Sequence, residues 1–355
     1  MDACRAIAAT VVVLNHARDL LLQDYAGDLV SLPFYFLGGL GHAGVIVFFV
    51  LSGFWITKAV DSRRDQSRFW TTYLIDRASR LGIVLLPVLA IGGVLDRVGV
   101  QQGWPLYDGL IGAHSLDGGT AERLSVPVLL ANVTSFQGLA LPTWGTNGPL
   151  WSLAYEWWFY IWFPALAFSV WRRRPSPALL LLGVGLVYPE LFVGFLSWLA
   201  GSLLYAGVRH RHAWHALVER HSALSLIGSI SLLTVALIRQ RLVPGGVGDV
   251  GVAVAFALML LALCLTDPAI WRVMRPVARY GAQSSYSLYA IHFPVLALIV
   301  APIVGSQRLR STPGHWLLII ALIVTLVVVG WMLSHITERH TGRLRGRLKR
   351  LAGIG

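Results

Sequence analysis

Arg5 and His16 lie eleven positions apart in an otherwise apolar opening segment, Arg5-Ala-Ile-Ala-Ala-Thr-Val-Val-Val-Leu-Asn-His16. At 100° per residue, eleven steps bring a helix back to within about 20° of the same face, about 16 Å further along its axis. If the segment crosses a membrane, one stripe carries a permanent cation near one interface and a titratable base near mid-depth. Ionisable groups at that depth are costly and mark candidate functional sites. The structural alternative is an interfacial Arg that snorkels plus a hydrogen-bonded core His.

Acids sharpen the question because they are few, 17 Asp and Glu in all, and nearly every one falls in a loop or at the end of an apolar stretch. Glu156, in Trp151-Ser-Leu-Ala-Tyr-Glu-Trp-Trp-Phe-Tyr160, is the one read as clearly inside, roughly two turns from the outer end and at a depth comparable to His16. A carboxylate there needs a partner or takes a proton. An imidazole is a natural partner, because the carboxylate would fix its tautomer and support the imidazolium, as the orienting acid of a triad does. A neutral Glu hydrogen-bonded between helices is the alternative.

Arg77 and Arg80, three residues apart, share one helical face at the inner end of the third apolar stretch. Paired guanidinium groups suit a phosphate, although plain charge anchoring explains such a pair equally simply. His42 opens the second stretch. Tyr286, Tyr289 and His292 recur at spacing three on an apolar helix and form either a pocket wall or a set of interhelical hydrogen bonds. His210, His212, His215 and His221 sit among arginines in a basic loop, a solvated arrangement and not a metal site. Trp55, Trp171, Trp271 and Trp316 lie near the ends of stretches and read as interfacial anchors.

The elements that must hold these residues follow from composition. Charged residues make up 13% and mean hydropathy is +0.65, about half the charge of a soluble domain. The chain is expected to be an all-α, polytopic integral membrane protein of about ten transmembrane helices, at 4–22, 42–60, 76–97, 149–170, 178–189, 190–208, 222–238, 248–266, 285–304 and 315–336. The fifth is short, parted from the sixth only by Tyr188-Pro189-Glu190, and reads as a half-span or part of a broken helix. The net charge of +12 invites a nucleic-acid partner. The charges instead sit in short loops, with no basic helix or aromatic-basic interleave, so no nucleic acid is expected. Cys4 and Cys264 imply neither a disulfide framework nor a zinc site. The first stretch, with His16 and Arg18 and no small-x-small cleavage signal, does not read as a signal peptide.

Alternate loops sort the 29 Lys and Arg unequally: 22 fall on one side, including Arg172, Arg173, Arg174, Arg272, Arg275, Arg279 and the tail, and seven on the other. Both termini are therefore expected in the cytoplasm, with the basic tail 337–355 inside and the long connection 98–148 outside. The whole of 1–355 reads as a single membrane domain. Nothing in the sequence signals an oligomeric state.

Five motifs in order resemble the acyltransferase-3 family of integral-membrane acyltransferases, which O-acetylate lipopolysaccharide O-antigens, exopolysaccharides, nodulation factors and some macrolides. They are Arg5 with His16; Gly44-Val-x-Val-Phe-Phe-Val-Leu-Ser-Gly-Phe54; Arg77-x-x-Arg80; Leu150-Trp-Ser-Leu-Ala-x-Glu156; and Ser285-Tyr-Ser-Leu-Tyr-x-x-His292. The chain departs from the pattern at Ile46, where the family often has Asp, at Trp157 and Trp158, where a second Glu and a Gln are common, and in the distance of Pro87 from the arginine pair. These bear on acceptor specificity more than on reaction class. The resemblance implies no appended external hydrolase-like domain, since the chain stops soon after the tenth stretch.

It also implies an acyl-CoA co-substrate, most often acetyl-CoA, and no metal. Arg77 and Arg80, with Arg5, would hold the donor phosphates, and the pantetheine arm would reach towards His16. His16 would act as general base on a carbohydrate or glycoside hydroxyl arriving from the outer side, or would carry the acyl group itself. Glu156 would orient it. His42, Trp151, Tyr286, Tyr289 and His292 would line the pocket. The competing classes are a transporter or flippase for a lipid-linked sugar, with Arg, His and Glu as a proton relay, and a membrane scaffold. No inverted repeat supports the former, and the latter leaves the buried charges without a purpose.

Overall fold

Each of the ten apolar stretches is helical in a computed structural model of the protein, which describes residues 1–173, 178–213, 220–243, 245–266, 274, 276, 278, 281 and 284–354, with no side-chain detail at 178–182. Arg174, His215, Trp271, Arg272, Arg275 and Arg279 lie outside the described residues. The described helices are α1 (Asp2–Leu21), α2 (Leu32–Leu37), α3 (Gly41–Asp61), α4 (Phe69–Gln101), α5 (Val126–Val133), α6 (Trp151–Arg172), α7 (Ala178–Val187), α8 (Pro189–Arg209), α9 (Ser222–Leu242), α10 (Gly246–Thr266), α11 (Ser285–Val304), α12 (Pro313–Ile336) and α13 (Thr341–Leu351). The chain is a multi-pass integral membrane protein. Seven segments, containing α3, α4, α8, α9, α10, α11 and α12, are long and apolar enough to cross a bilayer on length and composition alone.

The three remaining stretches differ for readable reasons. α1 carries Asp2, Arg5, Arg18 and Asp19. α6 is 22 residues long but rich in Trp and Tyr. α7 has ten residues, about 15 Å of helix against a hydrocarbon core of about 30 Å. It has the short length expected of a half-span or part of a broken helix. Tyr188 interrupts it, and Pro189, whose missing N–H costs nothing at a first turn, restarts the chain as α8. α4 runs 33 residues, beginning seven residues before the expected 76. Its polar first turns lower the hydropathy without opposing helix formation.

The chain folds as two compact units interleaved in sequence: Met1–Arg5, His42–Phe69 and Tyr155–Ala278 in one; Ala6–Gly41, Trp70–Ala154 and Arg279–Gly355 in the other. In the first, Phe159 gathers Phe49, Tyr155, Trp162, Phe195 and Trp198 around it at ring-centroid distances of 5.3 to 6.3 Å. α3 and α8 approach closely because both are glycines at the crossing. A Cβ on Gly53 would lie 2.2 Å from the Trp198 carbonyl oxygen, and one on Gly201 would lie 1.9 Å from that of Val50. Small residues at such crossings replace the hydrophobic drive that lipid cannot supply. On α9, Gln240 is the buried residue, and its Nε2 donates to Asp249 Oδ1 at 2.6 Å; the apolar side chains of this helix are exposed or half-buried.

In the second unit α4, α11 and α12 pack through Val84, Val88, Ala290, Ile291 and Leu333. The connection 102–150 belongs to this unit and is built on buried polar groups. Asp96 accepts from the backbone N–H and the hydroxyl of Thr146, both at 2.8 Å. Trp144 donates from Nε1 to the Leu89 carbonyl at 2.9 Å, and its N–H donates to Asn132 Oδ1. Asn147 Nδ2 donates to the Ala290 carbonyl on α11 at 2.8 Å, and Gln137 Nε2 to that of Leu150. A segment so anchored is a fixed wall, not a floppy linker.

Candidate active site

His16 stands three residues before Asp19 on α1, so both side chains lie on one face. The connection 102–150 brings Ser115 to that face. Asp19 Oδ2 accepts from the Ser115 backbone N–H at 2.7 Å, and Ser115 Oγ lies 3.0 Å from His16 Nδ1. Asp19 is 1% exposed, and a carboxylate so buried requires donors. The Ser115 N–H is one, and Arg18 and Arg308 approach Oδ1 to 3.9 Å each. The chain beyond α1 is tied down alongside. Gln23 N donates to the Leu309 carbonyl and Leu309 N to that of Leu21, both at 2.8 Å. Arg308 donates to the two oxygens of Asp24 at 3.1 and 2.9 Å, and this bond holds the Asp24 carboxyl below its usual range.

The His16 ring stacks on His292 of α11, with centroids 5.3 Å apart and planes 27° apart, and meets the edge of Phe293 at 5.0 Å. His292 is fully buried. Its Nδ1 sits 2.7 Å from the Tyr289 carbonyl. A carbonyl can only accept, so Nδ1 carries the hydrogen and Nε2 is left as the acceptor. That Nε2 is buried and has no hydrogen-bond partner among the described residues, and the same holds for Asn147 Oδ1. Buried acceptors left open are rare and are places where a ligand or water donor fits. His16 is half-buried. With Nδ1 engaged by Ser115, Nε2 is the other ring nitrogen.

The structure therefore brings together His16 and His292 from the sequence-derived set and adds Ser115 and Asp19, while Asn147 bonds to Ala290, two residues before His292. Tyr289 neighbours them, but its hydroxyl is committed: it donates to the Pro149 carbonyl at 3.0 Å and lies 2.6 Å from Ser152 Oγ. Tyr286 donates to the Leu81 carbonyl at 3.3 Å and packs on the α4–α11–α12 core. These two follow the interhelical hydrogen-bond alternative. Trp151 begins α6, half-buried, with the αL glycine Gly138 seated on its Cβ.

Glu156 is half-buried on α6 and accepts from Tyr160 Oη at 2.6 Å, one turn on. Three acids at the ends of apolar stretches are more buried than Glu156. Asp19, Asp76 and Asp96 are 1%, 3% and 0% exposed, deeper than Glu156. They lie near the ends of their apolar stretches, where sequence alone reads them as interfacial.

Arg5 shares α1 with His16 and lies 4.0 Å from Asp2. Arg77 and Arg80 stand in the third turn of α4, Arg77 half-buried with its guanidinium 5.7 Å from the Tyr73 ring centre, and Arg80 exposed. His42 is exposed at the start of α3, its Nε2 2.9 Å from Asp249 Oδ2. Asp19, Asp24 and His114 bring donor atoms within 4.8 Å of one another, and there the Arg308 guanidinium supplies positive charge.

Comparison with known proteins places this arrangement in context. A family model described as an acyltransferase domain, the acyltransferase-3 model, matches residues 1–334. Acyltransferase MdmB of Streptomyces mycarofaciens is 24% identical over 383 residues, covering 99% of this chain and 93% of that protein. No solved structure matches the chain.

Proposed function

Since the chain belongs to the acyltransferase-3 family and is an acyltransferase, we propose that it moves an acetyl group from cytoplasmic acetyl-CoA to a hydroxyl of a carbohydrate or glycoside at the outer side of the membrane. Both units form the one acyltransferase domain. The termini lie in the cytoplasm of a bacterial inner membrane and 102–150 faces out. The observation that carries this reading is the placement of His16: Nδ1 held by Ser115, the ring stacked on His292, and Nε2 left to react.

In the proposed reaction Nδ1–H of His16 donates to Ser115 Oγ, which leaves Nε2 as the base. The acceptor hydroxyl oxygen attacks the thioester carbonyl as Nε2 takes its proton. The carbon–sulfur bond then breaks, and the departing CoA thiolate recovers a proton from the imidazolium. Net, an ester and a free thiol form from an alcohol and a thioester. Ser115 and Asp19 are positioning residues, the carboxylate fixing the loop and the loop fixing the ring. His292 Nε2 and Asn147 Oδ1 accept hydrogen bonds from substrate donors. Arg77 and Arg80, with Arg5, bind the donor's phosphates. The family resemblance implies charge balance for the base from Glu156 and an acceptor path that includes His42 and Trp151. The same Nε2 could take the acyl group and pass it on. Thiol release in a burst before any acceptor is added marks that route.

The test is purified protein in detergent given labelled acetyl-CoA and candidate glycans. This reading expects label in the glycan with no membrane gradient. A transporter using the same groups as a proton relay transfers none, and that result ends the proposal.

A further inference from the structure

Residues 337–340 join α12 to α13, a basic helix. Its sequence, Thr341-Gly-Arg-Leu-Arg-Gly-Arg-Leu-Lys-Arg-Leu351, holds five Arg or Lys in 11 residues and no acid. At 100° per residue its long side chains fall into three arcs, each no wider than about 60°. Arg345 and Lys349 share one, Leu344, Leu348 and Leu351 the next, and Arg343, Arg347 and Arg350 the third. The leucines lie between the two basic arcs.

The first basic arc faces the protein. Lys349 Nζ lies 2.8 Å from Asp76 Oδ1 and Arg345 Nε 4.0 Å from it, in the opening turns of α4. Just before α13, Glu338 Oε1 accepts from the Ser287 N–H at 3.1 Å and from Ser287 Oγ at 2.6 Å, at the first turn of α11. The starts of α4 and α11 and the end of α12 thus meet at the tail, and all three helices are long and apolar enough to cross a bilayer. α13 lies where three spans leave the hydrocarbon, at the level of the headgroups.

The other two arcs turn away from these contacts. Arg343, Arg347 and Arg350 are exposed, Leu344 and Leu348 are half-buried, and Leu351 is 85% exposed. Leucines flanked by arginines at a membrane surface suit an interfacial helix, with the apolar arc at the acyl boundary and the cations among the headgroups. A guanidinium fork matches a lipid phosphate, and a lipid with net negative charge adds attraction that a zwitterionic one lacks. A nucleic acid would also meet the arginines but would leave the leucines in water. We propose that α13 docks on anionic phospholipid, with Arg343, Arg347 and Arg350 on the lipid phosphates and Leu344, Leu348 and Leu351 at the acyl boundary. This docking needs only a chain that spans a bilayer, so it stands apart from the acyl-transfer reading.

Hydrogen–deuterium exchange of residues 341–351 tests it, in the full chain reconstituted in nanodiscs of phosphatidylglycerol or of phosphatidylcholine. Exchange is expected to be slower in phosphatidylglycerol by about tenfold or more. Each arginine at an anionic surface is worth about fivefold, so three set a ceiling of about 100-fold. Arg343→Gln with Arg347→Gln and Arg350→Gln, which keeps the helix propensity, is expected to remove the difference between the lipids. Arg343→Lys with Arg347→Lys and Arg350→Lys is expected to keep it to within about twofold. So is Arg172→Gln with Arg211→Gln and Arg220→Gln, which removes as much charge elsewhere. Equal exchange of the parent in the two lipids overturns the proposal, as does a difference that survives the α13 Gln variant or disappears in the Lys variant. Greater protection from a single-stranded oligonucleotide added to phosphatidylcholine discs overturns it in favour of a nucleic acid. None of these outcomes bears on acetyl transfer, which is read separately.

Discussion

Asp19 and Asp76 are two carboxylates in the same unit, each nearly sealed from solvent, and the fold satisfies them in different ways. Asp19 takes a backbone N–H, that of Ser115 at 2.7 Å, with two guanidinium groups near 3.9 Å. Asp76 takes the ends of two long side chains from a separate helix, Lys349 and Arg345. A peptide N–H has one direction and cannot swing away, so Asp19 fixes geometry: it places Ser115, and Ser115 places His16. Lys and Arg side chains have many rotamers, so Asp76 is balanced in charge more than it is held in position. The first arrangement suits a reacting ring that must be located closely. The second suits a patch whose task is to attract a multiply charged ligand.

The contrast can be broken experimentally. The largest effect is expected from Arg77→Ala with Arg80→Ala. Two charge-assisted bonds at about 1.5–3 kcal/mol each predict acetyl-CoA binding weaker by about 10² or more, read by titration, with insertion in the membrane unchanged. Asp19→Asn should lower kcat about tenfold, the loss of charge assistance in one bond, and leave acetyl-CoA affinity alone. Asp76→Asn should do neither, shifting acetyl-CoA affinity less than about twofold, as an exposed or balanced charge would. A kcat loss from Asp76→Asn equal to that of Asp19→Asn would erase the distinction between the two sites. Ser115→Ala should cost about two- to tenfold in kcat for one neutral hydrogen bond, with partial recovery in Ser115→Thr. Combined with Asp19→Asn it should cost little more than Asp19→Asn alone, because both act through one contact.

The smallest effect concerns acid stability. The Arg308 bond depresses the Asp24 pKa, so its stabilisation is fully present above the unfolded value near 3.9 and is lost as pH falls through the lower folded value. Asp24 is 53% exposed, so the contribution is modest. Melting temperatures measured from pH 7 down to 3 should show that acid-dependent part in the parent and not in Arg308→Ala.

How much of this was legible in the sequence depended on whether order lay along one helix or between distant segments. All ten apolar stretches are helices because hydropathy reports directly on the environment that selects them. The brevity of α7 and its break at Tyr188-Pro189 were equally visible. The spacing of His292 on α11 marked a polar position, but its stacking on His16 depends on how two helices meet, which periodicity does not encode. Ser115 lies 99 residues from His16. Its arrival is set by the course of 102–150, which depends on bonds such as Asp96 to Thr146 and Asn147 to Ala290, with no pattern in the local sequence. Asp19 was within reach of sequence reasoning, since it lies three residues from His16. Its position at the end of the stretch made it look interfacial. Asp76 was hidden in the same way, beside the more conspicuous Arg77 and Arg80.

The central claim is that the His16 imidazole performs the transfer. Labelled-acetyl transfer by His16→Ala, purified in detergent and shown by titration to bind acetyl-CoA as the parent does, tests it most directly. Turnover lower by about 10² to 10⁴, the usual contribution of a general base, is the expected result. Transfer within a few fold of the parent would contradict the claim.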